Sequence, residues 1–534
     1  MTPAGRRILA VLATAQFLMV LDQAVMNVSI SQLVADFHTD VTTIQAVIAL
    51  YSLVMAVLMI AGGKMGDIWG RRRAFTAGLL IYGSGSLITT VSGSVPVLVL
   101  GWSLLEGIGA ALVLPALVAL TARSFEGPAR ALAYGVLGGV SGAGIAVGPI
   151  LGGWMTSNLS WRYVFAGEVV LVLAILAGVR YLPSEEGRPG ARLDRLGALL
   201  CGSGLALIVL GALEAGTWGW LQPRNSPVEP FGFSLTPFVV AAGGGLLVLF
   251  REWERRREAG GLEPLVHFRL FGVRALRGGL SAFLAQNLIL MGIFFAIPLY
   301  LQVVQGLGAF QTGVRMLPVS ITLLLTALAG SRLGSRLAPR TIVRIGLGLL
   351  LAACLILLAT IKPHLAGVSF ASGMAVLGIG MGLIVSQLGN VVQSSIGEED
   401  RSEAGGLQFT SQQLGAALGT AVIGAVVISG LLSAFSSNVQ HDPRISAQAK
   451  ALVGVHLEGG VSFVSTDAVR AAATEAKLDQ PTTDAIVQGY GEAQLRALKT
   501  GLLLAALLVC AAIPATRSLP TEPAPTRGPP AAAA

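Results

Sequence analysis

Three acidic residues, Asp22, Glu106 and Glu168, stand inside long apolar runs of a 534-residue chain in which only 12% of residues are charged. An ionisable side chain placed in hydrocarbon costs about 3 kcal/mol, so each is a candidate functional group facing a protein interior. A carboxyl that is dry in one conformation and wet in another takes up a proton in the first and gives it up in the second. If a cationic solute competes for the same carboxylate, uptake of one drives release of the other. The competing assignment for each acid is an interhelical hydrogen bond or a position near the headgroups. Rising 1.5 Å per residue, Asp22 lies about 20 Å along its run, in the outer half. Glu106 falls near mid-depth and Glu168 in the outer third, so one cavity can take all three. Gln16, Gln23 and Asn27 form a polar stripe more than ~90° from Asp22 on a helical wheel, so stripe and acid face different neighbours. Gln286 and Asn287 are further polar residues within spans, able either to line a pocket or to act as packing glue.

Two other stretches combine unusual residue types. "GGKMGDIWGRRRAF", from Gly62, gathers Gly63, Lys64, Gly66, Asp67, Gly70, Arg71 and Arg72 between two apolar runs. The arginines suffice as a topological anchor, but an anchor does not call for Asp67. "GAGIAVGPILGG", Gly142 to Gly153, continues a glycine series. Gly135, Gly138, Gly139 and Gly142 share one helix face, and Gly144, Gly148 and Gly152 the opposite one. Such a helix can be approached closely from two sides, while Pro149 removes a ladder hydrogen bond and adds a bend.

The elements that must position these residues are membrane spans. Hydrophobic residues make up 54% of the chain, and the mean hydropathy is +0.74. Windows of about 20 apolar residues, enough to cross the hydrocarbon core, are expected near 8–30, 42–63, 74–92, 96–122, 132–156, 162–182, 196–215, 235–252, 279–304, 313–334, 341–361, 366–391, 405–434 and 498–516. Lys and Arg fall in alternate loops, which places both termini in the cytoplasm of an inner (plasma) membrane protein. The same alternation argues against nucleic-acid binding despite a net charge of +8, because no single basic face is formed. The first apolar run is too long for a cleavable signal peptide. Cys201, Cys354 and Cys510 are far apart, and no His or Cys pattern suggests a metal. Gly63-Lys64 is followed by Met65, so there is no P-loop. No cofactor is expected.

Residues 1–182 read as an N-terminal six-helix bundle. Residues 183–278 hold two inserted spans and a basic linker with an interfacial helix, and 279–516 form a second six-helix bundle with an outer loop at 436–497. Residues 517–534 read as a disordered cytoplasmic tail. "EGIGAAL" around Gly107 recurs as "LGIGMGL" around Gly378, shifted by 271 positions, and "RALAYG" from Arg130 aligns at the same shift with "RSEAGG" from Arg401. "SRLGSRLAPR" is a degraded copy of the charged stretch with Ser335 in place of Asp67. Repeats of this kind put a substrate site between two halves that rock against each other.

"GKMGDIWGRRR" resembles motif A of the major facilitator superfamily, and "GAGIAVGPILGG" resembles its antiporter motif C. "LDQAVMNVSI" and "FFAIPLYLQVVQGLGAFQTGVRMLP" are similar to the first-span and ninth-span signatures of its fourteen-span drug:proton antiporters, the EmrB/QacA type. The resemblance implies an all-α polytopic fold of two six-helix bundles plus two inserted helices. It further implies export of an amphipathic, cationic small molecule, coupled to protons and driven by their gradient, from a monomer in the lipid bilayer. Motif A would act as a conformational latch, Asp67 clamping the cytoplasmic side through Arg71 and the start of a second-half helix near Ala404. Gly144, Gly148, Pro149, Gly152 and Gly153 would form a pliable contact between halves. Ser103 stands where the family carries Arg, Glu106 where it carries Gln, and Glu168 where it carries Asn. Export of one endogenous metabolite or lipid is the nearest alternative. Motif C argues against an importing symporter, and no motif supports an enzyme.

Overall fold

In lipid every backbone polar group must be satisfied within its own segment, which leaves helices as the outcome for long apolar runs. The computed structural model describes residues 2–184, 187, 193–334, 336–365, 367–397, 401–450 and 463–522, and among these there is no strand. The helices are α1 (Pro3–Met26), α2 (Ile30–Asp36), α3 (Val41–Trp69), α4 (Arg71–Thr90), α5 (Val95–Leu98), α6 (Gly107–Ser124), α7 (Gly127–Asn158), α8 (Arg162–Gly178), α9 (Arg195–Trp218) and α10 (Thr236–Ala259). They continue as α11 (Arg274–Leu299), α12 (Ala309–Leu333), α13 (Pro339–Thr360), α14 (Gly367–Ser394) and α15 (Arg401–His441), followed by a short helix Thr466–Glu475 and a last helix Gln480–Ala512. The copy at Ser335, the basic residues Arg188 and Arg192, the stretch 451–462 of the expected outer loop and the tail beyond Glu522 lie outside the described residues, as do the side chains of Arg130 and Arg401.

Twelve helices among the described residues are long and apolar enough to cross a membrane. The two other expected spans, at 74–92 and 235–252, are present as α4 and α10 but do not join that count. Three arginines open α4 and a glycine-serine run interrupts it, while "REWERRRE" closes α10, which shortens the apolar stretch of each. The expected count of fourteen is therefore not reached by length and composition.

Packing sorts the helices into two sets. The first is α1, α3, α4, α6, α7 and α8; the second is α11 to α15 with the last helix. The sets meet along two seams, α7 against α12 and α3 against α15, and α9 lies against both members of the second seam with α10 behind it.

Several boundaries differ from expectation. The charged stretch is not a loop: α3 runs unbroken through Lys64 and Asp67 to Trp69, and the chain turns at Gly70 alone. Nothing in "GGKMGDIW" stops a helix, whereas Gly70 adopts φ 90°, which an L side chain resists. The polar segment after Ser436 is largely helical extension, α15 running on to His441 and the last helix beginning at Gln480 rather than near 498. Phe435 packs edge-on against Tyr490 at 5.1 Å, and the Asn438 side-chain N–H donates to Gly489 O at 2.8 Å, which zips the two extensions together. The linker helix expected after Glu252 is the end of α10 itself, followed by a turn and a single 3-10 stretch, Phe268–Gly272.

Between α5 and α6 the rod is a π-helix, Val99–Glu106. Such insertions are rare and often mark functional positions. It lies close against α4 because both sides carry glycine: a Cβ on Gly85 would stand 2.6 Å from Gly101 O and 2.7 Å from Glu106 Cγ. Gly85→Ala is expected to destabilise the protein by about 1–3 kcal/mol through overpacking. Gly135→Ala, where nothing lies within 4 Å, should be neutral or stabilising by up to about 1 kcal/mol. Thermal unfolding of the two purified variants separates them; equal midpoints would refute the close approach.

Candidate functional site

Asp22, Glu106 and Glu168 come from α1, the end of the π-helix and α8, and are no more than 1% exposed. One carboxylate oxygen of each lies within 4.8 Å of the others. Each acid uses one oxygen on a donor in the pocket wall. Asp22 Oδ1 accepts from Trp102 Nε1 at 2.8 Å, Glu106 Oε1 from the Thr89 hydroxyl at 3.3 Å, and Glu168 Oε2 from the Tyr82 and Ser86 hydroxyls at 3.1 Å each. The second oxygens, Asp22 Oδ2, Glu106 Oε2 and Glu168 Oε1, are buried without a partner. Tyr51 stacks on Trp102 at 4.6 Å, its hydroxyl also buried and unpartnered. Among the described residues no lysine or arginine pairs with any of the three acids. Ser103, where the resemblance leads one to look for a cation, donates its hydroxyl to Val47 O at 2.9 Å.

The polar stripe of α1 does face elsewhere. Gln16 donates to the Ser141 hydroxyl on α7 at 2.9 Å, and Gln23 to Gln413 Oε1 on α15 at 3.0 Å, so Gln23 bridges the two sets of helices. Asn27 and Asn287 are turned back on their own helices, to Gln23 O and Phe283 O. Gln286 is buried, and its Oε1 has no partner. A further bridge that the sequence did not suggest is Gln45, whose amide donates to Thr420 O at 2.9 Å across the α3–α15 seam.

The glycines of α7 sort as their spacing predicts. A Cβ on Gly144 or Gly152 would meet Val20 or Val25 of α1 at 3.0 and 2.6 Å, and one on Gly148 would collide with Ala24. On the other side, a Cβ on Gly142 would stand 3.0 Å from Leu324 of α12, and one on Gly153 2.6 Å from Ala309 O, while Pro149 O fills the space beside Gly313. This helix is therefore clasped between the two sets. At the end of the molecule away from the N-terminus the seam is also hydrogen-bonded: Gln302 donates to Val28 O at 2.8 Å and accepts from Ser31 N at 3.2 Å, and Phe310 N donates to the Ser157 hydroxyl at 3.1 Å.

Two helix sets joined by glycine-lined seams, with acids buried in one set, are the architecture of a membrane carrier, and the sequence comparison agrees. The pattern of the Major Facilitator Superfamily matches residues 12–420. The chain belongs to the Major Facilitator Superfamily. It is similar to the puromycin resistance protein pur8 of Streptomyces alboniger, 32% identical over 425 residues, 78% of this chain and 81% of that protein. It is also similar to the multidrug efflux pump LfrA of Mycolicibacterium smegmatis, 27% identical over 473 residues, 88% of each chain. Among solved structures, a bacterial homologue of the human lysosomal transporter Spinster shares the fold, with a TM-score of 0.61 at 15% identity over 98% of this chain and 100% of that one. The protein is thus an integral membrane transporter and not an enzyme.

In this superfamily member one motif A residue, Lys64, is tied to the inserted segment, and the others bond within the N-terminal bundle. Lys64 Nζ pairs with Glu263 Oε1 at 2.8 Å, Asp67 Oδ1 with Arg71 Nη2 at 3.4 Å, and Arg72 donates to Leu182 O at 3.3 Å. Gly63 and Gly66 face Pro115 and Ala74 at ordinary contact distance. Among the described residues Asp67 makes no bond to α15. The first turn of α15 is held instead by the strap after α10: Glu403 accepts from His267 N at 2.6 Å and meets His267 Nδ1 at 2.8 Å. The same strap donates Leu265 N and Val266 N to Glu254 Oε2 at 2.6 and 3.3 Å. Sequence reasoning missed these partners because they are scattered singly through a charged stretch. Tyr51 and Tyr82, by contrast, sit in the middle of apolar runs, and a buried tyrosine hydroxyl needs a partner.

Burial, and then the neighbouring Asp194 carboxyl, push Glu254 up to about 7, with the Val266 and Leu265 N–H groups pulling it back. A carboxyl raised in the folded state contributes stability that is fully present below the ordinary carboxyl range and is lost as pH rises through about 7. Thermal unfolding in detergent should therefore show the wild type losing stability relative to Glu254→Gln as pH rises from about 4.5 to 7, with no further change above. Parallel curves for the two proteins would contradict this.

Proposed function

We propose that the protein is a proton-coupled exporter of amphipathic, cationic small molecules that works by alternating access, with both termini in the cytoplasm. The observation that carries the proposal is the carboxylate cluster: three buried acids, each with an unpartnered oxygen, and no basic residue paired with them among the described residues. Buried carboxylates without a counter-charge must be neutralised, and exchangeable protons do so when the cluster is dry and leave when it is wetted. The functions for which the relatives are named, resistance, export and efflux, support outward transport.

The closed seam away from the N-terminus, and an Asp67 that bonds Arg71 and not α15, fit a conformation open toward the cytoplasm. In the other conformation Asp67 would reach the first turn of α15, where the helix dipole favours an anion, and the strap would have to release Glu403. A narrower reading, export of one compound, is favoured by relatives named for a single antibiotic, such as the tetracenomycin C resistance and export protein of Streptomyces glaucescens.

Reconstitution in proteoliposomes with an imposed pH gradient, following a fluorescent cation and lumenal pH together, tests both readings. Wild-type protein is expected to move the two in opposite directions, and Asp22→Asn, Glu106→Gln and Glu168→Gln each to lower gradient-driven flux by about tenfold or more. Full coupled transport by all three variants would sink the carboxylate mechanism. Movement of only one member of a panel of cations would favour the narrower reading.

A further inference from the structure

We propose that the pocket formed by Asp22, Glu106, Glu168 and Tyr51 binds one hard metal cation of sodium or calcium size. One oxygen from each acid lies within 4.8 Å of the others, and the oxygens come from three different helices. The donors in the wall, Trp102, Thr89, Tyr82 and Ser86, saturate only one oxygen of each acid. Three carboxylate oxygens remain buried and unpartnered. An independent sign of a ligand is Tyr51. Its side chain is 1% exposed, its ring is fixed against Trp102, and its hydroxyl lies beside the Asp22 carboxyl without reaching the geometry of a full hydrogen bond. Buried polar groups in native structures nearly always have partners, so three unpartnered carboxylate oxygens and a tyrosine hydroxyl in one buried cluster call for a ligand.

The donor set fixes the kind of ion. It is oxygen alone, with no histidine or cysteine in the cluster, which selects hard cations over zinc or copper. Magnesium holds its ligands at about 2.0–2.1 Å in a near-ideal octahedron, so two of them stand at most about 4.2 Å apart. An ion with ligand distances of about 2.3–2.6 Å accommodates oxygens nearly 5 Å apart, so it fits the cluster at any separation up to its 4.8 Å limit. Three unpartnered carboxylate oxygens and the Tyr51 hydroxyl supply four of the six to eight oxygens, roughly, that such an ion takes, and water can supply the rest. A drug-sized cation is a poorer fit, because Tyr51, Tyr82 and Trp102 close the pocket and are each at most 1% exposed.

The inference goes beyond the proposed function, which needs only protons at these acids. Purified full-length protein in detergent, stripped with a chelator, would be titrated with radiolabelled sodium and, separately, calcium. The expected result is saturable binding of about one ion per chain, for one of the two ions, weakened about tenfold or more by Glu106→Gln and by Glu168→Gln. Tyr51→Phe, which leaves every acid in place, should keep a monodisperse protein and weaken binding by several-fold. Saturation with sodium or with calcium supports the proposal and identifies the charge. No saturable binding of either ion overturns it, as does binding that none of the three variants alters. Coupled proton export without ion binding would overturn this inference alone; ion binding without coupled export would overturn the proposed function alone.

Discussion

Three carboxylates share one dry pocket, and most of the first helix set is arranged around that fact. At an effective dielectric of about 20, two unit charges within 4.8 Å repel by at least about 3.5 kcal/mol. Three ionised acids would cost about 10 kcal/mol, comparable with the whole stability of a folded domain. The cluster can persist only if its charge is reduced by a bound cation, whether proton or metal. Its walls do part of the work: the glycine contact of α4 with the π-helix brings Glu106 beside Thr89, and Tyr82 and Ser86 of α4 hold Glu168.

α1 carries the consequence toward the seams. One face presents Asp22 to Trp102, and another presents Gln23 to Gln413 of the second set, one residue along the same helix. A shift of α1 that changes the solvation of Asp22 therefore also changes a bond between halves. α7 adjoins α1 through Gly144, Gly148 and Gly152 and adjoins α12 through Gly142 and Gly153, so a shift of α1 bears on one of the two seams between the sets. Packed interfaces of this kind switch between arrangements rather than deform gradually. On the N-terminal face the strap joins Lys64, Glu254 and Glu403, and so touches α3, α10 and α15 at once.

Much of this was legible in the sequence. Apolar run length located the helices, because the bilayer leaves few alternatives, and the wheel separated Asp22 from Gln23 correctly because helical geometry is rigid. Glycine spacing foretold the two-sided contacts of α7. The π-helix at Val99–Glu106 was not legible: "VLGWSLLE" has the composition of any span, and no residue in it marks the wider turn. The end of the charged stretch was misplaced because its charges suggested a loop, although only Gly70 breaks the helix. The convergence of the three acids could be stated as a depth argument but not as a contact, since depth says nothing of rotation about each helix. The strap was missed for a different reason: its bonds are made largely by backbone N–H groups, which carry no sequence signal.

The most direct measurement is proton release from purified, weakly buffered protein in detergent when a fluorescent lipophilic cation is added, followed with a pH indicator. The carboxylate account predicts release from the wild type and none from the protein carrying Asp22→Asn, Glu106→Gln and Glu168→Gln together. Undiminished release from that triple variant would contradict it.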